Sequence, residues 1–191
     1  MKRIILASQS PRRIELLSRL VDSFDIEESW TDEESHEKNA EKLSAALASR
    51  KAEDVFGRNG DAIVIGADTV VAVGSSILGK PQDAEEARSM ITRLSGREHS
   101  VFTGVCAVSR EFKKTLCCRT DVLFEDLTAG EIDDYIAQGD WDDKAGAYGI
   151  QGAAAKYIRG IRGDYYNVMG LPLHALYNLL KEINILYEYT L

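Results

Sequence analysis

Two adjacent arginines stand where a helix should begin. Ile4 to Ala7 form a short apolar run, Ser8-Gln9-Ser10-Pro11-Arg12-Arg13 follows, and Ile14, Leu16, Leu17 and Leu20 then recur at helical spacing. That order spells strand, polar turn and helix start. Ser10 suits the N-cap, and Pro11 suits the first helical position because its missing N–H would have been unpaired anyway. Arginines in the first turn oppose the helix dipole and cost roughly a few tenths of a kcal/mol unless an anion lies among them. Two readings fit. Free amides, hydroxyls and two bidentate donors build a phosphate cradle, or the arginines face water on a solvated first turn.

Lys51 and Asp68 are the next residues that a purely structural role explains poorly. Ala40, Leu43, Ser44, Leu47 and Ala48 recur at helical spacing, and Lys51 continues that stripe about three turns after Ala40. A lysine there either snorkels to water or, aimed into a cleft, offers a point charge to phosphate. Asp68 and Thr69 interrupt an otherwise apolar stretch from Ala62 to Val73. Either Gly66 marks a bulge or bend that brings Asp68 to the surface, or Asp68 is held beside cations in a cleft. In a cleft, a carboxylate can bind Mg2+ or act as a general base toward water.

Gly74-Ser-Ser-Ile-Leu-Gly79-Lys80 has the spacing of a P-loop up to its lysine, but Pro81 follows. Proline offers neither the hydroxyl that holds Mg2+ nor an N–H for phosphate, so a hairpin turn with Lys80 just beyond it is expected instead. Asp142 to Gly152 holds three glycines, Lys144 and Gln151 with few large apolar residues. Such a stretch suits close backbone approach to a ligand, or is a flexible surface loop. Gln151 can read a base edge, because its amide offers both donor and acceptor.

Other chemistries are disfavoured. No G-x-S-x-G elbow is present, His36, His99 and His174 share no metal-ligand spacing, and Cys106, Cys117 and Cys118 fit neither a disulfide framework nor a zinc site. The cysteines read as strand residues, and the histidines receive no role. With 23 basic against 31 acidic residues the chain carries a net −8, which opposes non-specific attraction to nucleic acid or an anionic membrane. No apolar stretch approaches a membrane span or a signal peptide, so the expected compartment is the cytosol.

The elements that must position these residues alternate between strand and helix. A strand at about 3–7 leads to a helix at 11–20, an acidic loop from Glu27 to Glu34 and a long helix from about His36 to Phe56. Strands around 62–73 follow, then a helix at 84–95 capped by Asp83 with Glu86 three residues later, and strands near 99–109 and 115–125. Thr128 and Glu131 repeat the capping spacing before a helix reaching Gln138, and a strand near 156–162 precedes a final helix opening at Pro172. The order is α/β with antiparallel pairs in the middle.

Taken in order, Ala7-Ser-Gln-Ser-Pro-Arg-Arg13, Lys51-Ala52, Gly66-Ala-Asp-Thr-Val70, Leu78-Gly-Lys-Pro81, Leu94-Ser-Gly96 with His99 and Thr103-Gly104, Asp143 to Gly152, and Gly163 to Pro172 resemble the Maf family of nucleoside triphosphate pyrophosphatases. The resemblance spans nearly the whole chain, 1–191, as a single domain. It implies an elongated mixed sheet with flanking helices, two lobes around a central cleft, an architecture like that of the inosine triphosphate pyrophosphatases, and often a homodimer. It also implies a reaction: with a divalent metal, Mg2+ or Mn2+, a nucleoside triphosphate is cut between its α and β phosphates.

By the same matching Asp68 is the proton acceptor. Ser8, Arg12, Arg13, Lys51, Lys80 and Lys144 surround the triphosphate, and Glu33 joins Asp68 at the metal. The acidic run between Trp30 and Lys38 departs from the family pattern, and Glu34 is the nearest alternative to Glu33. Arg12, Thr69 and Gln151 match the selectivity positions of the branch acting on dTTP and UTP. The alternatives are the 7-methyl-GTP branch and a nucleotide-sensing regulator of cell division that binds without turnover.

Overall fold

The structure, a computed structural model, describes residues 3–32 and 34–185. Its frame is one sheet. Strands β1 (Ile4–Leu6), β2 (Asp25–Ile26), β3 (Ile63–Val73), β5 (Glu98–Val108), β6 (Lys113–Phe124) and β7 (Ile158–Arg162) run in the order β2-β1-β3-β5-β6-β7, and β4 (Ser76–Leu78) pairs with β3. β1 is parallel to both β2 and β3, whereas the β3, β5, β6 and β7 pairs are antiparallel. The mixed sheet and the antiparallel middle agree with the sequence reading.

Side chains alternate across a strand, and β3 uses both of its faces. On one face two apolar cores lie side by side. The first joins Ile63, Ile65 and Ala67 to helices α1 (Pro11–Leu17) and α6 (Leu173–Glu182). The second joins Val71 and Val73 to α3 (Ala84–Leu94) and α4 (Ala129–Ala137). These are the two lobes expected from the sequence. The other face is covered by a single long helix, α2 (Ala40–Arg58), whose Ala48, Ala52 and Val55 pack on Ile5, Val64 and Cys106.

α2 comes unusually close to the sheet because two glycines lie beneath it. A Cβ on Gly66 would stand 2.4 Å from the Ala48 carbonyl oxygen, and one on Gly104 would stand 2.3 Å from the Ser44 carbonyl oxygen. Gly66 is therefore no bulge. It pairs in register with Cys106, and β3 continues unbroken through Asp68, which pairs with Gly104. Of the two readings of Asp68, the one in which Gly66 turns it to the surface is overturned, since the glycine answers a need for space on the helix side.

Local signals explain most element ends. Asp83 and Thr128 cap α3 and α4 as expected, and Thr128 with Glu131 forms a reciprocal capping box. Glu86 departs from that pattern by accepting from the Gln82 N–H. α2 starts at Ala40, later than expected, because Asn39 caps it by accepting from the Lys42 N–H. Pro11 opens α1 and Ser10 stands at its N-cap as expected, though the serine makes no side-chain cap bond. α1 ends at Leu17, and residues 153–157 form a 3-10 helix before β7. The short helix α5 (Tyr165–Met169), between the Asp164 cap and a left-handed Gly170, was not anticipated. Gly74, at φ +58, turns β3 into β4 as the hairpin reading requires.

Candidate active site

A cleft of about 740 Å3 opens between the two cores and takes residues from both. Its floor is the Lys51–Asp68 pair. Lys51 Nζ donates to Asp68 Oδ1 at 2.6 Å, and the side chains are only 13% and 9% exposed. Both readings left open for these residues resolve toward the cleft: Lys51 does not snorkel, and Asp68 does not reach the surface. The close approach of α2 over Gly66 and Gly104 makes the contact possible. Buried charges are tolerated when paired, so each of these two accounts for the other.

Thr69, the neighbour of Asp68, points to the opposite face and meets Arg13. Arg13 donates through Nη2 to Thr69 Oγ1 at 3.2 Å, through Nη1 to Ser8 Oγ at 3.3 Å, and through Nε to the Gly170 carbonyl at 3.0 Å. Behind Thr69, the buried Thr103 donates its hydroxyl proton to the Asn167 carbonyl at 2.8 Å and lies 3.0 Å from Thr69 Oγ1. With that proton committed, Thr103 can only accept from Thr69. α5 and Gly170 thus position Arg13 from behind, which gives the unanticipated helix its place in the site.

The third wall is the stretch from Asp140 to Ala153, which is anchored and not a loose surface loop. Asp140 accepts from the Ala153 N–H at 2.9 Å and pairs with Lys144 at 3.1 Å. Tyr135 Oη donates to the Ala147 carbonyl at 2.9 Å, and the Gly146 N–H donates to the Gly79 carbonyl at 2.9 Å. The last bond ties this wall to the strand end that presents Lys80. Asp143 joins Lys144 at 2.6 Å and reaches Arg12 of α1 at 3.0 Å. Burial pulls the Asp143 carboxyl up, but the Lys144 hydrogen bond and the Arg12 charge outweigh it and hold the group below the usual carboxylate range.

The structure gathers nearly all the residues singled out in the sequence. Ser8, Arg12, Arg13, Lys51, Asp68, Thr69, Lys80, Lys144 and Gln151 all line the one cleft. Lys80 and Gln151 are exposed at its rim. Glu33 lies outside the described residues. Glu34 is exposed and not among the cleft-lining residues, and its carbonyl accepts from Arg50. Residues missed as site components are Asp140, Asp143, Thr103 and Tyr148. The sequence signal for Asp140 is Gly152: a Cβ there would meet Asp140 Oδ2 at 1.9 Å, so glycine marks where the carboxylate passes.

The carboxylates that line the cleft are Glu28, Asp68, Asp140 and Asp143, and neither histidine nor cysteine is among its described lining residues. Among the described residues no group of three or more His, Cys, Asp or Glu side chains could hold an ion. A hard cation such as Mg2+ typically binds through one or two carboxylates together with phosphate oxygens and water.

His99 gives the site a pH dependence in stability. It is buried, and burial lowers its pKa from 6.5 to about 4, the Asp121 charge opposing this more weakly. Between those values the unfolded chain holds a proton that the folded chain does not, so stability falls as pH drops through the window. About 2 kcal/mol is expected to be lost between pH 7 and pH 5 through this group. Urea unfolding at the two pH values measures it, and His99→Gln should remove most of the difference.

An α/β sheet with α2 on one face and two cores on the other, enclosing a cleft of arginines and lysines over a buried carboxylate, defines a protein built to hold a small polyanion. Its architecture is shared with the Staphylococcus aureus Ham1 protein, with a TM-score of 0.56 over 95% of this chain and 100% of that one. At 12% identity the likeness is one of fold alone.

The chain belongs to the Maf-like protein family, whose profile matches residues 3–183. It is 49% identical over 184 residues to the dTTP/UTP pyrophosphatase of Geobacillus sp. (strain WCH70), covering 96% of this chain and 99% of that protein. The dTTP/UTP pyrophosphatase of Bacillus velezensis (strain DSM 23117 / BGSC 10A6 / LMG 26770 / FZB42) is 47% identical over 185 residues, covering 96% and 98%.

Proposed function

We propose that this chain is a nucleoside triphosphate pyrophosphatase that hydrolyses dTTP and UTP to the monophosphate and pyrophosphate. The observation that carries the reading is the buried Lys51–Asp68 pair at the floor of a cleft walled by Arg12, Arg13 and Lys144. Relatives that match this chain nearly end to end bear the name of that activity.

A triphosphate brings about four negative charges, and a site that cleaves it must also stabilise the charge growing on departing pyrophosphate. Arg12 and Lys144 meet the ground-state charge of the bound triphosphate from opposite walls, exchanging Asp143 for phosphate oxygens. Arg13, held by Ser8, Thr69 and Gly170, supplies a fixed fork, and Lys80 adds a point charge at the rim. Asp68 takes the proton of a water attacking the α phosphorus as the bond from that phosphorus to the bridging oxygen breaks. Lys51 fixes the direction of the carboxylate and offsets its charge. Asp68, with Glu33 as second carboxylate, would hold a divalent cation, Mg2+ or Mn2+, which supplies charge neutralisation at the phosphates when bound. Thr69, Gln151 and Arg12, which line the same cleft, discriminate the base.

The proposal extends to one domain over 1–191, to a cytosolic location without a nucleic-acid partner, in keeping with the −8 charge, and to a homodimer. No helix among the described residues is long and apolar enough to cross a membrane. Pyrophosphate release from dTTP, UTP, CTP, GTP, ATP and 7-methyl-GTP, with either metal, tests the activity. Multiple turnovers confined to dTTP and UTP are expected. Turnover of 7-methyl-GTP instead moves the protein to the other branch, and tight binding without turnover makes it a sensor.

Lys51→Ala is expected to lower kcat/KM by about tenfold or more, the scale of a lost charge-assisted hydrogen bond. An unchanged kcat/KM would remove Lys51 from the machinery.

A further inference from the structure

One buried polar contact beside the cleft is unused by the mechanism above. His99 Nε2 lies 2.7 Å from Tyr148 Oη, and both residues are buried, at 2% and 5% exposure. Among the described residues His99 Nδ1 has no hydrogen-bond partner, so the ring is held by its contact with Tyr148. It stands edge-on to Tyr148 and to Phe124, with ring centres 5.3 and 5.2 Å away, and Phe124 stands edge-on to Tyr148 at 4.9 Å. His99 and Phe124 together clamp Tyr148, a side chain of the cleft wall.

That side chain sits at the strained point of the wall. Gly146 and Ala147 precede Tyr148 with φ of +69 and +62. Glycine adopts such angles freely, but an alanine there is strained and persists only where its surroundings impose the conformation. Tyr135 restrains the Ala147 carbonyl from one side, and the clamped Tyr148 restrains the chain just after it. Lys144 lies four residues before Tyr148 and Gln151 three residues after, so the direction of the chain at 146–148 sets where both reach the cleft.

We propose that His99 is a positioning residue for nucleotide binding, acting through Tyr148 to hold the wall that carries Lys144 and Gln151. It touches no substrate. Asp68 and Lys51 are fixed independently by β3 and α2, so His99 governs affinity and leaves the chemical step nearly untouched. This rests on the pyrophosphatase reading for its substrate, but the loop geometry on which it depends does not.

Steady-state kinetics with dTTP on Tyr148→Phe, His99→Leu, their double variant and His99→Gln test the proposal, with calorimetric binding of dTTP to the same variants carrying Asp68→Asn. Tyr148→Phe keeps the ring and loses only the hydroxyl. It and His99→Leu are each expected to raise KM, and to weaken binding, by about tenfold, the scale of one buried hydrogen bond, with kcat changed by less than about threefold. The double variant should be no worse than the poorer single variant, because both changes remove one contact. His99→Gln, whose amide nitrogen reaches the same place, should restore KM.

Additive effects, a fall in kcat at constant KM, or failure of His99→Gln beside an intact fold would overturn the proposal. Should His99→Leu fail to fold, Tyr148→Phe and His99→Gln still decide it. Absence of dTTP turnover in the unaltered protein would overturn the pyrophosphatase reading, and the calorimetric series would then judge His99 by itself.

Discussion

Asp68→Asn is expected to lower kcat for dTTP by about a hundredfold or more while KM changes little. The amide keeps the size and shape of the carboxylate, so β3 and the packing of α2 should survive. It cannot take the proton of the attacking water, and it no longer matches the ammonium of Lys51, 2.6 Å away in the unaltered protein. The triphosphate-holding groups Arg12, Arg13 and Lys144 stand on α1 and on the Asp140–Ala153 wall, away from this change. Single-turnover kinetics with an affinity measurement separates the two effects. Normal turnover in this variant would take the base away from Asp68.

Gly104→Ala should be the most damaging single methyl group in the protein. The new Cβ would lie 2.3 Å from the Ser44 carbonyl oxygen and 2.6 Å from the Ala45 nitrogen, both backbone atoms of α2. Backbone cannot swing aside as a side chain can, so the nineteen-residue helix must lift from the sheet. Overpacking of this kind costs about 3 kcal/mol, and the folded fraction pays again, because lifting α2 draws Lys51 from Asp68. A lower urea midpoint and at least a tenfold lower kcat in folded protein are expected. Gly57→Ala in the same helix, with nothing within 4 Å, should instead stabilise by roughly 0.5 kcal/mol. Equal effects of the two changes would show that close packing of α2 is not what matters.

The helices and strands were legible because their signals are local. Apolar spacing gave β3 and α2, and Thr128 with Glu131 marked the start of α4. Asn39 shows the limit: an acidic, polar run before it blurred the start of α2, and only the bond from Lys42 fixes it. Ser10 shows another, since a residue well suited to capping stands at the N-cap of α1 without making a side-chain cap bond.

The chemistry of the site was legible where a residue contradicted its surroundings. Lys51 on an apolar stripe and Asp68 inside an apolar strand could be singled out, but which of two explanations held for each depended on the other, eighteen positions along the chain when both ends are counted. Sequence spacing carries no record of that meeting. Thr103, Asp140 and Tyr148 were harder still, since a threonine in a strand, an aspartate in a loop and a tyrosine among glycines contradict nothing. Their roles exist only in the contacts with Thr69, Lys144 and His99.

Hydrolysis of dTTP in 18O-labelled water, with mass spectrometry of both products, tests most directly the claim that water activated at Asp68 attacks the α phosphorus. One labelled oxygen is expected in dTMP and none in pyrophosphate. Label in pyrophosphate, or dTDP and inorganic phosphate as products, would contradict the assignment.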